Sequence, residues 1–550
     1  MQPLPVSPLL GQMMDQPLLI SDIIEFADRH FGSTEVVSRR IEGDLHRYTY
    51  HDCHTRARQL ANALDRLGVQ MGDRAATLAW NGYRHMEVYY AVSGSGAVLH
   101  TVNPRLAVDQ LAYIVNHAED SCLFFDLTFL PLVEQLAPLC NTVRHYILMC
   151  DPGHMPSETA IPGLLCYETL LAAESDDYRW PQFDERSACG LCYTSGTTGN
   201  PKGVLYSHRS NMLHALASGL PNGLNVSSQD TILPMVPMFH VNAWGLPYSA
   251  PMSGAKLVLP GAAMDGASLC GLIMSERVTF AAGVPTIWSS ILNHAQEHKY
   301  AFPALKRTVI GGSACPPSMM NTLMDDFGVE VMHGWGMTEM SPLGTQSKLQ
   351  AKHLSLPDAE QRQIRRKQGH AIFGVDLKIV DDSDKELPWD GRAVGHLMTR
   401  GPWIVSSYYG KEDVPVLRDG WFPTGDMATI DPDGYMQITD RSKDVIKSGG
   451  EWISSIDLEN IAISHPAIMQ AVCIALPHPK WDERPFLVVV LRPGMACTRE
   501  DLLAFYQGKV PKWCIPDDVA FVDELPISGT GKVLKNRVRD QFKSHHLPTT

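Results

Sequence analysis

Residues 193–205 read YTSGTTGNPKGVL and follow an apolar segment. Glycine lets backbone N–H groups approach phosphate oxygens closely, hydroxyl side chains add hydrogen-bond donors, and Lys202 adds positive charge. A flexible surface turn would not need a hydroxyl at nearly every non-glycine position. The stretch therefore predicts a phosphate-binding loop that leaves a buried strand. Its binding residues are Thr194, Ser195, Gly196, Thr197, Thr198, Gly199 and Lys202.

The loop differs from the phosphate-binding loop of kinases and GTPases. In that loop a glycine precedes the lysine and a serine or threonine follows it. Here Pro201 precedes Lys202 and Gly203 follows it. The pattern therefore argues against a kinase or GTPase.

Short apolar segments alternate with helical patterns on both sides of the loop. Residues 51–70 have apolar residues at helical spacing, and Gly68 is a helix stop. The apolar segments include RAATLAW (74–80), SCLFFDL (121–127), TILPMVPM (231–238) and VTFAAGVP (278–285). Such alternation is typical of an α/β fold with parallel sheets and crossover helices.

The pattern changes near residue 370, where short strands joined by Asp/Gly turns predict a small barrel or sandwich. A charged run at 440–443 then precedes a compact segment in which strand and helix patterns alternate again. We therefore predict two domains, at 1–440 and 441–550. A chain of 550 residues is long enough for at least two cores.

Composition narrows the class of protein. A formal charge of −14 argues against a nucleic-acid partner. The sequence contains no run of about 18 apolar residues, so no membrane-spanning helix is predicted. The N-terminus lacks the pattern of a secretory signal. Twelve scattered cysteines favour free thiols in the cytoplasm. Cys189 and Cys192 form one C-x-x-C, interpreted as two thiols on a buried strand.

Six further motifs follow the loop in sequence order. They are VPMFHVNAWG (236–245), GGSACP (311–316), HGWGMTE (333–339), GWFPTGD (420–426), DRSKDVIKSGGEWIS (440–454) and PISGTGKVLK (526–535). Together with the loop they resemble the adenylate-forming superfamily, which includes acyl-CoA synthetases, amino-acid adenylation domains and firefly-type luciferases. FHVNAWG and KSGGEWIS look most like bacterial medium- and long-chain fatty acyl-CoA synthetases.

This resemblance implies a fold and a reaction. The fold is a large N-terminal α/β domain of two lobes plus a small β-barrel, with a mobile C-terminal α+β lid that pivots near Lys443. The reaction joins a carboxylic acid to coenzyme A through an acyl-adenylate, and releases AMP and pyrophosphate. ATP, Mg²⁺ and coenzyme A would be required. A homodimer is a further hypothesis, which the sequence itself does not decide.

The resemblance also implies catalytic roles. Lys532 matches the lysine that bridges the carboxylate and the α-phosphate. Glu339 matches the magnesium-binding glutamate, with Thr194 as a second oxygen ligand, which suits a hard cation. His240 is expected between the phosphates and the thiol path.

The nucleotide site carries over residue by residue. Asp426 would accept hydrogen bonds from the ribose hydroxyls, and Trp335 would stack on adenine where relatives carry tyrosine. The other nucleotide-binding residues are expected to be Gly312, His333, Gly334, Thr338, Arg441, Lys443, Lys447 and Trp452.

Four more residues belong to the acyl and thiol sites. Trp244 matches a tryptophan that gates the acyl tunnel, although a core aromatic is the alternative. Gly283 is expected to line the acyl pocket. Gly449 and Gly450 are expected near coenzyme A.

The acid itself stays open. A medium-chain fatty acid is the first hypothesis, and a short thioether acid such as methylmercaptopropionate or an aryl acid is the alternative. An enzyme that loads a carrier protein, a luciferase-like oxidase and an inactive acyl-binding relative are rival functions.

Overall fold

The computed structural model describes Leu9 and residues 11–194, 200–449, 451–527 and 532–548. The first part of this chain alternates helices and strands, as the sequence predicts. Its elements are α1 (Ile20–Phe31), β1 (Glu35–Arg39), β2 (Leu45–Thr49), α2 (Tyr50–Arg66), β3 (Arg74–Leu78), α3 (Tyr83–Gly94), β4 (Val98–Thr101), α4 (Val108–Ala118), β5 (Asp120–Asp126), α5 (Leu130–Leu136), β6 (His145–Met149), β7 (Leu165–Cys166), α6 (Tyr167–Ala172), β8 (Ala188–Thr194) and β9 (Lys202–Ser207).

The first lobe is built on a seven-stranded sheet in the order β7-β6-β5-β3-β4-β8-β9. All of its neighbouring pairs are parallel except β8 with β9, which is antiparallel and pairs Thr194 with Lys202. The phosphate loop of the sequence analysis thus joins two neighbouring strands. Helix α2 begins after Thr49, whose side chain caps it, and ends shortly before Gly68, which has a φ of +75°.

The second lobe continues the alternation. Its elements are α7 (His208–Gly219), β10 (Thr231–Pro234), α8 (Leu246–Ser253), β11 (Lys256–Leu259), α9 (Gly266–Ser275), β12 (Phe280–Gly283), α10 (Pro285–His298), β13 (Arg307–Ile310), α11 (Pro317–Asp325), β14 (Glu330–Gly336), β15 (Leu343–Gln346), α12 (Asp358–Arg366) and β16 (His370–Ala371). The nine-stranded sheet has the order β16-β15-β14-β13-β12-β10-β11-β1-β2.

Apolar side chains bind the two lobes together. One cluster of buried residues contains Ala75 and Leu99 of the first sheet and Ile232, Leu257 and Val309 of the second. Two further clusters cover the outer faces of the sheets. Because burial of apolar surface is the main driving force of folding, the shared cluster holds the lobes in one arrangement.

The segment expected as a small barrel consists of β17 (Asp376–Val380), β18 (Gly395–Arg400), β19 (Phe422–Ile430) and β20 (Met436–Arg441). These strands are all antiparallel, in the order β17-β18-β19-β20. Within the described residues this ladder is open, because β17 and β20 each have one neighbour in it. The β-rich unit therefore has the expected short strands at the expected position, and these strands form an open sheet in place of a closed barrel.

The C-terminal part forms a separate α+β unit, the lid. Its elements are β21 (Ile446–Ser448), β22 (Glu451–Ile453), α13 (Ser455–Ile463), β23 (Ile468–His478), β24 (Asp482–Leu491), α14 (Arg499–Phe505), β25 (Asp518–Phe521) and α15 (Lys535–Gln541). Its sheet has the order β22-β21-β24-β23, with β25 pairing with β24. Two apolar clusters cover its two faces. The lid therefore has its own core.

No helix in the described ranges is long and apolar enough to cross a membrane. All twelve cysteines are free thiols, and eleven of them are buried. The C-x-x-C cysteines both lie on β8. There Cys189 Sγ accepts a hydrogen bond from the Asn211 amide, and Cys192 Sγ is hydrogen-bonded to the Thr101 hydroxyl. This matches their interpretation as buried strand residues.

Candidate active site

A cavity of about 520 Å³ lies where the carboxyl ends of strands from both lobes face the antiparallel sheet and the lid. In open α/β sheets this is where ligands bind. Residues from all four parts of the chain line it. The sequence-predicted residues among them are Thr194, Lys202, His240, Trp244, Gly312, Gly334, Trp335, Thr338, Glu339, Arg441, Lys443 and Lys532.

Asp426 is buried and is not itself part of the cavity lining, but two lining residues engage both of its carboxylate oxygens. The indole N–H of Trp335 donates to Oδ2 at 2.9 Å, and Nε of Arg441 lies 2.9 Å from Oδ1. Arg441 reaches it because the register of β19 and β20 places the two residues opposite each other. The carboxylate is therefore fixed in orientation, and each oxygen keeps a lone pair for a further donor.

Glu339 lies in a short 3₁₀ turn, Thr338–Met340, at the end of β14. Its Oε1 accepts a hydrogen bond from the Tyr408 hydroxyl at 2.9 Å. Burial raises the pKa of this carboxyl, and its hydrogen bonds and the cations Arg441 and Lys202 oppose the shift. Lys202 also lies over the Tyr408 ring, 4.7 Å from its centroid. Sequence reasoning missed Tyr408, which belongs to no recognised motif.

Lys532 extends from the lid into the cavity. Burial, together with the charge of Arg441, lowers the pKa of its ammonium group to about 8, whereas Asp426 and Glu339 act in the opposite direction. Gly312 lies beside the lysine: a Cβ there would be 3.8 Å from Lys532 Cε, an ordinary contact distance, and 3.2 Å from Val284 Cγ1. Gly312 also has a φ of +79°, which other residues rarely adopt.

Trp244 is carried by a left-handed turn. Val241, Asn242, Ala243 and Trp244 all have φ between 46° and 58°, a region that L-residues other than glycine seldom occupy. The buried Asn242 side chain accepts from the Tyr89 hydroxyl at 3.3 Å and lies 3.7 Å from Cys192 Sγ. The first lobe therefore holds the turn in place.

The turn directs the Trp244 indole against the second lobe. A Cβ on Gly311 would lie 3.3 Å from Trp244 Cη2, and one on Gly312 would lie 4.0 Å from Cζ2. The indole thus packs over two bare glycine positions at the cavity wall. It is half-buried and contacts both the apolar core and the cavity.

His240 precedes this turn and lines the cavity. Burial and the nearby charge of Lys532 lower the pKa of its imidazole to about 3. The ring is therefore neutral near pH 7. It can form hydrogen bonds there without adding charge.

Five predicted residues lie elsewhere. The buried His333 accepts the Cys315 N–H at 3.3 Å and bonds the Arg366 carbonyl at 2.9 Å, so it supports the cavity wall from behind. The Cβ position of Gly283 faces Met235 and Trp288, outside the residues that line the cavity. The other three, on the exposed β21–β22 hairpin of the lid, are Lys447, Gly449 and Trp452.

Six predicted residues fall outside the described ranges. They are Ser195, Gly196, Thr197, Thr198, Gly199 and Gly450. Their roles stay predictions.

The chain matches two protein-family models and resembles several solved structures. A family model described as AMP-binding enzyme matches residues 24–409, and one described as AMP-binding enzyme C-terminal domain matches residues 457–532. Among solved structures, an anthranilate CoA ligase in complex with anthranoyl-AMP superposes with a TM-score of 0.86 at 24% identity, covering 96% of this chain and 98% of the other. ATP-bound MatB from Rhodopseudomonas palustris gives 0.78 at 23% identity, covering 95% and 99%. Both show the fold.

Curated relatives are more similar in sequence. A 3-methylmercaptopropionyl-CoA ligase of Ruegeria lacuscaerulensis is 54% identical, covering 97% of this chain and 99% of the relative. A medium-chain-fatty-acid–CoA ligase of Ectopseudomonas oleovorans is 51% identical, covering 97% and 98%. A long-chain-fatty-acid–CoA ligase of Thermus thermophilus is 47% identical, covering 97% of each chain.

The left-handed turn predicts an unusual ranking of variants at Asn242. Asn242→Ala should destabilise the protein, because alanine in this conformation costs about 1–2 kcal/mol and the bond from Tyr89 is lost. Asn242→Gly loses the same bond but relieves the backbone. We expect the glycine variant to have the higher melting temperature of the two. An alanine variant as stable as the glycine variant would contradict a strained turn.

Proposed function

Because the chain belongs to the AMP-binding enzyme family, we propose that it is an ATP-dependent acid–thiol ligase that makes an acyl-CoA thioester. The observation that carries this proposal is one cavity that is lined by Lys532 and Glu339, has an apolar wall at Trp244, and has Asp426 bound to its lining residues Trp335 and Arg441. Cations and a diol acceptor fit a nucleotide, and the apolar wall fits an acyl chain. The chain's relatives named as acyl-CoA ligases support the same activity.

In the first half-reaction a carboxylate oxygen of the acid attacks the α-phosphorus of ATP. The bond from that phosphorus to the bridging oxygen breaks, and pyrophosphate leaves. The Lys532 ammonium group offsets the negative charge of the two anions that have to meet. The neutral His240 ring can form a hydrogen bond to a bound group without adding a second positive charge beside Lys532.

Asp426 would accept the ribose hydroxyls, and the orientation of its carboxylate, fixed by Trp335 and Arg441, supports this role. The Trp335 ring also lines the cavity, where it can stack on adenine. The Trp335 side chain would thus have two functions. Its face would contact the base while its N–H orients the group that binds the sugar.

Glu339 and Thr194 would hold Mg²⁺. A buried carboxylate and a hydroxyl, both lining the cavity, are oxygen donors of the kind that a hard cation takes alongside phosphate oxygens. When bound, the ion would neutralise phosphate charge. The raised pKa of Glu339 fits such a role, because burial penalises its charge until a cation is near.

In the second half-reaction the sulfur of coenzyme A attacks the acyl carbon, and AMP leaves. We assign coenzyme A to the exposed β21–β22 side of the lid. There Trp452 lies under Lys447, and Trp481 lies beside Lys480, 4.7 Å from its ammonium group. Gly449 packs on Trp481, since a Cβ there would lie 2.8 Å from its ring. Aromatic faces and ammonium groups suit an adenine and its phosphates.

This assignment requires two lid orientations. In the present one Lys532 lines the cavity, whereas Lys447, Gly449 and Trp452 are absent from its described lining. Thioester formation would need a rotation near Lys443 that exchanges these two faces. Hinge closure of this kind is an established way to assemble a site.

We further propose a short- or medium-chain aliphatic acid as the substrate and the cytoplasm as the location. The relatives named for 3-methylmercaptopropionate and for medium-chain acids support the first. Twelve free thiols support the second. A homodimer stays a prediction.

Pyrophosphate release tests the proposed function. With ATP, Mg²⁺ and a panel of acids of two to eighteen carbons, we expect acid-dependent pyrophosphate release, and AMP plus acyl-CoA once coenzyme A is added. Release without any coenzyme A product would favour an enzyme that loads a carrier protein or a luciferase-like oxidase. No acid-dependent release would contradict the proposal.

Lys532→Ala should separate the two half-reactions. Loss of one such charge typically lowers a rate by about 10²–10³, so adenylate formation should fall by that factor. The variant should still convert supplied acyl-adenylate and coenzyme A into thioester. Lys543→Ala, which removes an exposed lysine of the lid, is the control. Equal loss of both half-reactions in a folded variant would contradict this role.

Trp335→Phe should weaken ATP binding while keeping an aromatic face. A hydrogen bond to a charged group contributes about 1.5–3 kcal/mol, so the KM for ATP should rise at least about tenfold, and the KM for the acid should change little. Asp426→Ala should give the same pattern. An unchanged KM for ATP in Trp335→Phe would mean that the indole N–H does not orient Asp426.

Trp481→Ala should raise the KM for coenzyme A. Stacking of a base on an aromatic ring contributes about 1–3 kcal/mol, which corresponds to roughly tenfold or more. Adenylate formation without coenzyme A should keep its rate. Trp389→Ala removes a tryptophan of similar exposure outside the lid, 43% against 42%, and is the matched control. A similar rise in the KM for coenzyme A in both variants would contradict the assignment of coenzyme A to this face of the lid.

A further inference from the structure

The turn that follows α7 brings one leucine to the cavity. Leu224 is among the residues that line the cavity, yet it is only 1% exposed. Protein therefore surrounds this residue on every side except the one that contacts the cavity. Leu224 belongs to the closed inner wall of the cavity and not to its mouth.

The backbone around Leu224 is held from both sides. Its N–H donates to the Ser218 carbonyl at 2.6 Å, and its own carbonyl accepts from Nε of Arg307 at 3.4 Å. Arg307 is in turn paired with the buried Asp230, at 2.8 Å. The turn is also tight, because a Cβ on Gly223 would lie 2.5 Å from the Ser218 oxygen. Leu224 therefore has little freedom to move aside.

The contact with Arg307 shows where along the cavity wall Leu224 lies. Arg307 and Val309 are two residues apart on β13, so their side chains share one face of the strand. Leu224 and Val309 both line the cavity and belong to one apolar cluster. Leu224 therefore lies on the Val309 side of the cavity.

A path without side chains leads from Trp244 towards this side. A Cβ on Gly311 would lie 3.3 Å from Trp244 Cη2 and 3.0 Å from the Gly334 carbonyl oxygen. A Cβ on Gly334 would lie 3.5 Å from Val309 Cγ2. All four residues line the cavity. The two glycines thus leave room for an apolar chain between Trp244 and Val309.

The nucleotide base would not occupy this path. Gly334 and Trp335 are consecutive residues of β14, so their side-chain positions point to opposite faces of the strand. A base stacked on Trp335 and a chain that runs along Gly334 would therefore lie apart. This leaves the Gly334 side of the cavity for the acyl group.

We propose that Leu224 is a specificity-determining residue, whose side chain closes the far end of the acyl pocket and limits the length of the acid. This inference rests on the proposed ligase activity. Each methylene group that fits the pocket leaves water and favours binding. One group more would have to displace a leucine that is held at its N–H and at its carbonyl. Activity should therefore fall sharply beyond one chain length.

Straight-chain acids of four to eighteen carbons test the proposal. The kcat/KM of each acid is measured by pyrophosphate release without coenzyme A, and the best acid of the unaltered enzyme is identified first. For the acid two carbons longer, we expect Leu224→Ala to raise kcat/KM relative to the best acid about tenfold or more. One misfit methylene group in an apolar pocket changes such a ratio by about 10–200-fold. Leu224→Phe should shift the preference to shorter acids.

Two further variants keep the test decisive. Leu224→Val removes a single methylene group, and it replaces Leu224→Ala if the alanine variant does not fold. Leu233→Ala is the matched control. Leu233 is also a buried leucine, but it lies on β10 in the apolar cluster of the outer face and is absent from the described cavity lining. Its loss should lower the melting temperature and leave the chain-length profile unchanged.

The outcomes are distinct. A preference that lengthens in Leu224→Ala or Leu224→Val, shortens in Leu224→Phe and stays constant in Leu233→Ala supports the proposal. An unaltered enzyme whose activity does not fall with chain length overturns it. A profile that stays the same in every folded Leu224 variant also overturns it and makes Leu224 a structural residue. If no acid gives pyrophosphate release with the unaltered enzyme, the proposed function itself is contradicted.

Discussion

The burial of one ammonium group is the constraint on which the cavity depends. Lys532 can remain charged away from water only where opposite charges are close, and Asp426 and Glu339 supply them. Each of the three comes from a different part of the chain: the lid, the antiparallel sheet and the second lobe. The attraction of these two carboxylates for Lys532 favours the approach of the lid, against burial and the repulsion of Arg441. A nucleotide would bind at the point where all three converge.

The lid is fastened at its base by a second set of contacts. The Asp440 carboxylate at the end of β20 accepts the Ser455 N–H at 2.7 Å, which ties the N-terminal domain to the first turn of α13. Lys535 pairs with Glu459 at 2.7 Å, and these carboxylates raise the pKa of its ammonium group against the effect of burial. The Asp440–Ser455 bond spans the proposed hinge at Lys443, so it holds the lid in its present orientation.

Much of the site could be predicted because it is encoded locally. Motifs that end parallel strands must meet at one edge of the sheet, so HGWGMTE and GGSACP could be placed together from sequence. The bond from Trp335 to Asp426 could not, because it depends on the register of β19 against distant elements. His333 shows the same limit: its motif reaches the cavity, but alternation along β14 turns its ring behind the cavity wall. Tyr408 is a single residue outside any motif, and its hydrogen bond to Glu339 arises only in the tertiary structure.

The left-handed turn at Val241–Gly245 is encoded by its surroundings more than by its own residues. Asn81 binds the Pro234 and Val236 carbonyls and the Met238 N–H, and the Tyr89 hydroxyl donates to the Met238 carbonyl. The geometry of this segment is therefore held by residues of the first lobe. A chimaera that received this segment without Asn81 and Tyr89 would have the right local sequence. It would lack the contacts that hold the segment in its left-handed conformation. The conformation of this part of the pocket therefore depends on both lobes together, and the two would have to be transferred as a pair.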